Sequence, residues 1–164
     1  MYNRKKYDPQ KLFEKFTPIC QSILVLPDTG TGCAAKINLQ NHTVIPIKVD
    51  GENGLIEIEG QRCDWCIKDC DEPYKYLFIE LKTKGFDAAK NAMKQIGCTI
   101  TWFLHNIEGF SLQEINGNCY AIMKKGCPGY RQTFQNDILK FKIKFGCKFN
   151  IKNKNCTIPL YSEE

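Results

Sequence analysis

Two charged residues separated by a single leucine close a largely apolar segment of this chain. Residues 74–82 read YKYLFIELK. Alternate residues of an extended strand share one face, so Glu80 and Lys82 are expected to lie side by side. Burying such charges is costly unless they pair or bind a ligand. An isolated Glu-x-Lys at a strand end is usually a surface ion pair, so the neighbouring residues decide whether it can do chemistry.

An acid precedes this pair on the neighbouring predicted strand, and a glutamine follows it on a predicted helix. Asp64 lies sixteen positions before Glu80, and Gln95 lies on the polar side of the helix. This order resembles the PD-(D/E)XK nuclease superfamily, in which an acid at a strand end is followed by D/E-x-K on the adjacent strand and then by a helix. The resemblance covers about residues 43–104, and its segments RCDW (62–65) and FIELK (78–82) are similar to those of small bacterial proteins within the superfamily.

The resemblance implies a restriction-endonuclease-like fold and a metal-dependent nuclease. Asp64 and Glu80 would hold Mg²⁺ or Mn²⁺, which prefer oxygen ligands. Lys82 would orient or deprotonate the attacking water and stabilise charge on the phosphate. Gln95 completes the expected catalytic set, and Lys84 would contact a further phosphate. The implied substrate is nucleic acid, DNA before RNA.

The chain departs from the superfamily pattern in two ways. Cys63 stands where a proline usually precedes the first acid, and the accessory acid that many members place in the first helix is not evident. Glu14 and Asp50 are the two positional candidates for that acid. If neither approaches the metal, activity would be weak or the fold would serve binding only.

The elements around these residues indicate an α/β protein. Asp8 and Pro9 start a short helix, and an Asp50-Gly51 turn joins strands at 43–49 and 55–67 into a hairpin. Asp87 caps a helix over 88–96, and a buried strand at 98–104 follows the helix. The order of helix, three strands, helix and strand predicts a mixed central sheet flanked by helices, within one domain spanning residues 1–164.

A lysine-rich segment near the carboxyl end suggests a second functional surface. Residues 138–155 contain no acid, and Lys140, Lys142 and Lys144 would share one face of an extended strand. Such a stripe either protects a sheet edge from aggregation or contacts phosphates. Taken alone the pattern favours the protective role, and beside a nuclease site these three lysines become candidates for substrate binding.

Length and composition narrow the class of protein. The 164 residues carry a net charge of +5 and no apolar run long enough to span a membrane. The polar, basic start of the chain predicts that the protein stays in the cytoplasm. The ten cysteines are therefore expected to be mostly reduced thiols, with Cys20 and Cys98 as core candidates.

Three other functions remain open at this point. A cluster of Cys63, Cys66 and Cys70 could bind zinc with a fourth ligand from Cys33, Cys98 or His105. The Asp28-Thr29-Gly30 triplet resembles that of retroviral-type aspartic proteases, which act as dimers, although such triplets are also common in turns. A noncatalytic nucleic-acid-binding or immunity-type module on the same fold is the third alternative, and a homodimer is compatible with all of them.

Overall fold

The computed structural model describes residues 5–28, 30–55 and 61–163. The helices and strands follow one another as α1 (Pro9–Phe13), β1 (Ile23–Pro27), β2 (Ala34–Asn38), β3 (Val44–Lys48), β4 (Trp65–Asp69), β5 (Tyr76–Lys82), α2 (Phe86–Asn106), β6 (Asn118–Met123), α3 (Tyr130–Thr133), α4 (Gln135–Phe145), β7 (Lys148–Asn153) and β8 (Thr157–Pro159). A 3-10 turn, Leu112–Glu114, lies between α2 and β6. No helix in the described part of the chain is both long and apolar enough to cross a membrane.

A five-stranded mixed sheet carries the predicted site residues. Its strand order is β3, β4, β5, β6, β7. The first three strands pair antiparallel, and β5, β6 and β7 pair parallel. The carboxyl ends of β3, β5, β6 and β7 therefore meet the amino end of β4 at one edge of the sheet. The predicted α/β class and the mixed sheet are confirmed.

The two faces of this sheet are covered differently. Side chains from α1, α2 and α4 pack on one face, with Phe13, Phe103 and Phe141 among the buried residues. The other face packs against a second sheet of order β1, β2, β8, through residues such as Leu24 and Ile37. The helices therefore flank the central sheet on one side only, and the protein has three layers.

Strand β5 confirms the alternation predicted from the sequence. Leu77, Ile79 and Leu81 face the second sheet, whereas Tyr76 and Phe78 face the helices. The strand is buried on both sides up to its last residue. The same strand therefore links both cores.

The strand predicted over 98–104 is wrong, because these residues continue helix α2. Ile96, Ile100 and Phe103 are fully buried on one helical face. Gly97 lets α4 approach closely, since a Cβ built there would lie 3.1 Å from the Phe145 ring. Burial of this apolar stripe outweighs the modest strand preference of the β-branched residues in the segment. Cys98 falls on the outer face and is exposed, as is Cys20, so neither belongs to the core.

The lysine-faced strand is also wrong, because Lys140, Lys142 and Lys144 lie on helix α4. Phe141 and Phe145 are each only 5% exposed, whereas Ile143 is 77% exposed. A strand would place Phe141, Ile143 and Phe145 on one face and bury all of them. A helical period instead buries the two phenylalanines and leaves Ile143 exposed. Gly146, with φ of 73°, ends the helix in the left-handed conformation that glycine adopts readily.

The remaining predicted elements are found with changed limits. Asp8 accepts a hydrogen bond from the Gln10 backbone and caps α1, as expected. Strands β3 and β4 pair antiparallel, but β4 begins at Trp65, and residues 56–60 of the predicted strand lie outside the described residues. Helix α2 begins at Phe86 after Gly85, so Asp87 lies in its first turn and is not its cap.

A buried threonine fixes helix α2 to the segment that leads into β4. Thr99 Oγ1 accepts from the Cys63 backbone N–H at 2.9 Å and donates to the Gln95 carbonyl at 2.9 Å. Thr99 is fully buried. This bond sets the position of the backbone immediately before Asp64.

We expect Thr99→Val to lower the free energy of unfolding by about 1–3 kcal/mol, because it leaves the buried Cys63 N–H without a partner. The measurement is urea unfolding at equilibrium. Thr101→Val is the matched control, because the Thr101 hydroxyl bonds to the Gly97 carbonyl of its own helix. That change should stay within about 0.5 kcal/mol. Equal losses in both variants would contradict the role given to Thr99.

Candidate active site

The register of β4 and β5 places an acid on each strand opposite the other. Backbone pairing runs from Lys68 and Tyr76 to Trp65 and Ile79. The next step in the same register sets Asp64 across from Glu80. Glu80 has the parity of Tyr76 and Phe78, which face the helices, whereas Asp64 lies one residue before β4 begins.

The two acid side chains bind the backbone where the strand ladder ends. The Asp64 N–H donates to Glu80 Oε2 at 2.9 Å, and the Leu81 N–H donates to Asp64 Oδ2 at 2.7 Å. Lys82 Nζ lies 3.1 Å from Glu80 Oε1. Each carboxylate is therefore held by the opposite strand, and the structure brings Asp64, Glu80 and Lys82 together at one sheet edge.

Burial and mutual repulsion raise the pKa values of both acids. Glu80 is 3% exposed, and burial together with the charge of Asp64 raises its pKa to about 8 despite the ion pair with Lys82. Burial raises the pKa of Asp64 to about 6, with smaller contributions from the charges of Asp28 and Asp50, against the hydrogen bond from Leu81. Near neutral pH, Glu80 therefore holds a proton while Asp64 is largely ionised.

Gln95 supports the site from the helix and does not contact either acid through its hydrogen bonds. Its Nε2 donates to the Arg62 carbonyl at 3.2 Å. Its Oε1 is buried and has no hydrogen-bond partner among the described residues. The structure thus makes Gln95 a positioning residue for the backbone that precedes Asp64, whereas the sequence placed it in the catalytic set.

A pocket beside Asp64 collects further acids. It is lined by Pro27, Asp28, Lys48, Asp50, Asp64 and Trp65. Of the two candidates for an accessory acid, Asp50 lies in this pocket and Glu14 is exposed next to α1. Asp50 also pairs with Arg62 Nε at 2.6 Å.

Asp28 is the pocket residue that the sequence did not connect with the site. It belongs to the second sheet's β1–β2 connection, and the Trp65 indole N–H donates to the Pro27 carbonyl at 3.2 Å to join the two segments. The Asp28 carboxylate accepts from the Gly30 and Thr31 backbone N–H groups and from the Thr31 hydroxyl. Asp28 is thus bonded to residues that follow it closely in the chain. Its distance from Asp64 in sequence gave no reason to place the two acids in one pocket.

The site offers two close carboxylates to a cation. In residues 5–28, 30–55 and 61–163, no group of three His, Cys, Asp or Glu ligand atoms within 4.8 Å of one another includes Asp64 or Glu80. A cation at these acids would take its other ligands from water, the substrate or a carboxylate that moves. Mg²⁺ commonly retains several waters, so this donor set fits it.

Lysines follow the carboxyl ends of the parallel strands β5, β6 and β7. Lys124 follows β6 and its N–H bonds to the Lys82 carbonyl, and the Lys125 N–H bonds to the Thr83 carbonyl. Lys154 follows β7, with its N–H on the Met123 carbonyl. We call Lys82, Lys84, Lys124, Lys125 and Lys154 the lysine rim. Lys84, Lys124 and Lys125 are exposed and can reach a ligand in solvent.

The lysines predicted from the sequence as a binding stripe lie elsewhere. Lys140 and Lys144 line a groove between α2 and α4, together with the apolar side chains of Met93 and Phe141. Lys142 lies about 200° around the helix from Lys140, so the three do not share a face. Helix α4 ends close to the amino end of β7, at the sheet edge opposite the lysine rim.

The cysteine cluster does not form a zinc site in the described residues. Cys63 and Cys66 both enter the helix-side core, contrary to the opposite faces expected in a strand, and Cys33 lies in the other core. All ten cysteines are free. Within the part of the chain that the structure describes, one group of three His, Cys, Asp or Glu residues has its ligand atoms within 4.8 Å of one another. That group is His42, Asp69 and Asp71.

No protein-family model, curated protein or solved structure matches the chain.

The raised pKa of Glu80 predicts that stability falls as the pH rises. Folding moves this pKa from its ordinary 4.5 to about 8, so between those values the folded protein keeps a proton that the unfolded chain has lost. Without divalent cations, the free energy of unfolding should therefore decline between about pH 4.5 and 8. Asp64 adds a contribution of the same sign up to about pH 6.

The measurement compares urea unfolding of the wild type and Glu80→Gln across this pH range. The free energy of unfolding of Glu80→Gln should exceed that of the wild type by a growing amount as the pH rises, because the amide of the variant cannot ionise. Glu72→Gln, at an exposed acid, should follow the wild type. Parallel pH profiles for wild type and Glu80→Gln would contradict the raised pKa.

Proposed function

We propose that this chain is a divalent-metal-dependent nuclease of the PD-(D/E)XK type, with Asp64 and Glu80 as metal ligands and Lys82 acting on the attacking water. One observation carries the proposal: an acid before β4 meets an acid and a lysine at the end of β5, each carboxylate fixed by the opposite strand. The order of β4, β5 and α2 supports it, since the resemblance implies an acid at a strand end, then D/E-x-K on the adjacent strand and then a helix.

The electrostatics of the acid pair suit a doubly charged cation. The two close carboxylates repel each other, and without a cation one of them takes a proton. Asp64 and Glu80 would hold a divalent ion in place of that proton, so its binding should strengthen as the pH rises. Bound Mg²⁺ or Mn²⁺ would supply Lewis-acid stabilisation of the phosphate and a water of lowered pKa.

Each side chain then has a distinct part in hydrolysis. Asp64 and Glu80 would hold the cation, and Lys82 orients the attacking water and stabilises charge on the non-bridging phosphate oxygens. The water oxygen bonds to phosphorus and gives up its proton to solvent, the bond from phosphorus to the leaving oxygen breaks, and that oxygen takes a proton from solvent. Asp50, in the adjacent pocket, is the candidate accessory acid.

The lysine rim supplies the substrate contacts. Its residues follow the carboxyl ends of β5, β6 and β7, next to the acids, where a phosphate backbone could cross the strand ends. Lysines bind phosphates as point charges without reading bases, so the rim favours nucleic acid of any sequence, with DNA placed before RNA. Lys84 keeps the role predicted for it, and Lys124 and Lys125 replace the lysines of α4.

A noncatalytic binding module is the second candidate function. The observation that favours it is that, among the described residues, no third His, Cys, Asp or Glu offers a ligand atom within 4.8 Å of those of both Asp64 and Glu80. Such a module would bind nucleic acid through the lysine rim and leave the acid pair holding a proton. The cleavage experiment separates the two functions.

For catalysis, we expect Lys82→Ala to lower divalent-dependent cleavage about 10²- to 10³-fold while metal binding is retained, because the lysine acts on developing charge and does not hold the cation. Glu80→Gln should lose both cleavage and metal binding. Lys82→Arg should restore activity only in part, since a guanidinium has a different reach and cannot readily give up a proton. The assay is nicking of plasmid DNA and of structured RNA, with metal affinity measured by calorimetry.

Lys90→Ala, at an exposed lysine on α2, is the control and should cleave like the wild type. Cleavage by the wild type that survives in Lys82→Ala would show that the active site is assigned to the wrong residues. Nucleic-acid binding by a wild type that never cleaves would favour the binding module.

For substrate binding, we expect Lys124→Gln with Lys125→Gln to weaken affinity for DNA. The slope of log K against log salt should become shallower by about 1.8, or about 0.9 for each phosphate that the pair neutralised. Fluorescence anisotropy in EDTA measures binding without cleavage. The matched pair Lys140→Gln with Lys144→Gln removes the same charge at the opposite sheet edge and should leave the slope unchanged. A shallower slope in the Lys140 and Lys144 variant, with an unchanged slope in the Lys124 and Lys125 variant, would assign substrate binding to α4.

A further inference from the structure

A second group of metal-ligand residues lies at the sheet edge opposite the acid pair. Asp69 is the last residue of β4, Asp71 follows two residues later, and His42 lies two residues before β3. One ligand atom from each falls within 4.8 Å of the other two. Asp64 and Asp69 are five residues apart along extended chain, so about 17 Å separates the two groups.

The loop backbone holds both carboxylates of this group. The Asp71 N–H donates to Asp69 Oδ1 at 3.0 Å, and the Thr43 N–H donates to Asp71 Oδ2 at 2.7 Å. The Cys70 N–H in turn bonds to the Thr43 carbonyl at 2.9 Å. The two acids and the histidine are therefore kept together by the chain itself, as a preformed ligand set requires.

The charge of this group is only partly compensated by the protein. Asp69 is fully buried, and its ion-pair partner among the described residues is His42, with Nδ1 at 2.8 Å from Oδ2. The Tyr161 hydroxyl donates to the same oxygen. Two carboxylates thus face one imidazole, which carries at most one positive charge. A buried carboxylate in this setting is stabilised by a further cation.

We infer that His42, Asp69 and Asp71 form a zinc site, separate from the Asp64 and Glu80 site and independent of the proposed nuclease function. Ligands about 2.0–2.2 Å from one Zn²⁺ ion lie about 3.3 Å from one another in a tetrahedron, which the spread of these atoms permits. An imidazole nitrogen with carboxylate oxygens suits Zn²⁺, whereas Mg²⁺ prefers oxygen ligands and keeps its waters.

Binding would place the ion on His42 Nδ1 and on oxygens of Asp69 and Asp71. The imidazole then carries its one proton on Nε2, and the neutral imidazole and two carboxylates balance the charge of Zn²⁺. The Tyr161 hydroxyl remains as a donor that orients the Asp69 carboxylate, the usual part of an outer partner at a metal site. The ion would join the β2–β3 connection and the end of β4 to the segment after β8, so its expected role is structural.

The test uses the full chain carrying Asp64→Asn and Glu80→Gln, which removes the first metal site. Calorimetric titration with ZnCl₂ in excess Mg²⁺ should give one zinc per chain and a rise in the melting temperature. His42→Gln and Asp71→Asn, at partly and fully exposed residues, should each weaken zinc affinity at least about tenfold. His105→Gln and Glu72→Gln, at exposed residues outside the group, should bind as the parent does.

Substitution by Co²⁺ distinguishes this site from the cysteines. Histidine and carboxylate ligation gives no thiolate-to-metal charge-transfer band, and loss of the visible cobalt spectrum in His42→Gln would support the site. Zinc binding that persists unchanged in His42→Gln and Asp71→Asn, or that shows a thiolate band, would overturn it. An absence of zinc binding in the parent would equally overturn it and leave His42, Asp69 and Tyr161 as a hydrogen-bond network.

Discussion

Two carboxylates held against each other where an antiparallel ladder ends are the constraint around which this protein is arranged. Neither Asp64 nor Glu80 could be kept in this position by its own strand, because the Glu80 carboxylate accepts from the Asp64 N–H and the Asp64 carboxylate accepts from the Leu81 N–H. Their repulsion and burial oppose folding at high pH, and a proton, the Lys82 ammonium or a divalent cation relieves that repulsion. Electrostatic repulsion of this kind is typical of functional sites, where its cost in folding free energy is compensated by interactions elsewhere in the fold.

The three layers supply that compensation. Strand β5 is buried between the helices and the second sheet, so the end that carries Glu80 is fixed from both sides. Thr99 and Gln95 on α2 hold the backbone before Asp64, and Trp65 ties it to the second sheet. The parallel arrangement of β5, β6 and β7 then brings lysines to the same edge. Acids and lysines thus lie at the same sheet edge because of strand order.

Local alternation was sufficient to predict β5 and the shared face of Glu80 and Lys82, since it depends only on a period of two. The hydrophobic period predicted the wrong element where a segment fits both a strand and a helix. The alternating lysines of α4 fit a strand equally well, and only the exposure of Ile143 reveals the helix. Asp28, Lys124, Lys125 and Lys154 were beyond prediction, because sheet order and contacts between sheets are not encoded in local spacing. The superfamily resemblance remains a prediction, carried by the placement of three side chains.

A crystal structure of the protein soaked in Mn²⁺ at pH above 8, with anomalous scattering recorded, tests the central claim most directly. The account predicts an anomalous peak bridging Asp64 and Glu80, about 2.0–2.3 Å from one carboxylate oxygen of each, with Lys82 released from Glu80. The pH matters because the pKa of Glu80 is raised to about 8, and its proton competes with the ion. An empty site under these conditions, with Lys82 still paired to Glu80, would contradict a metal-dependent active site at these residues.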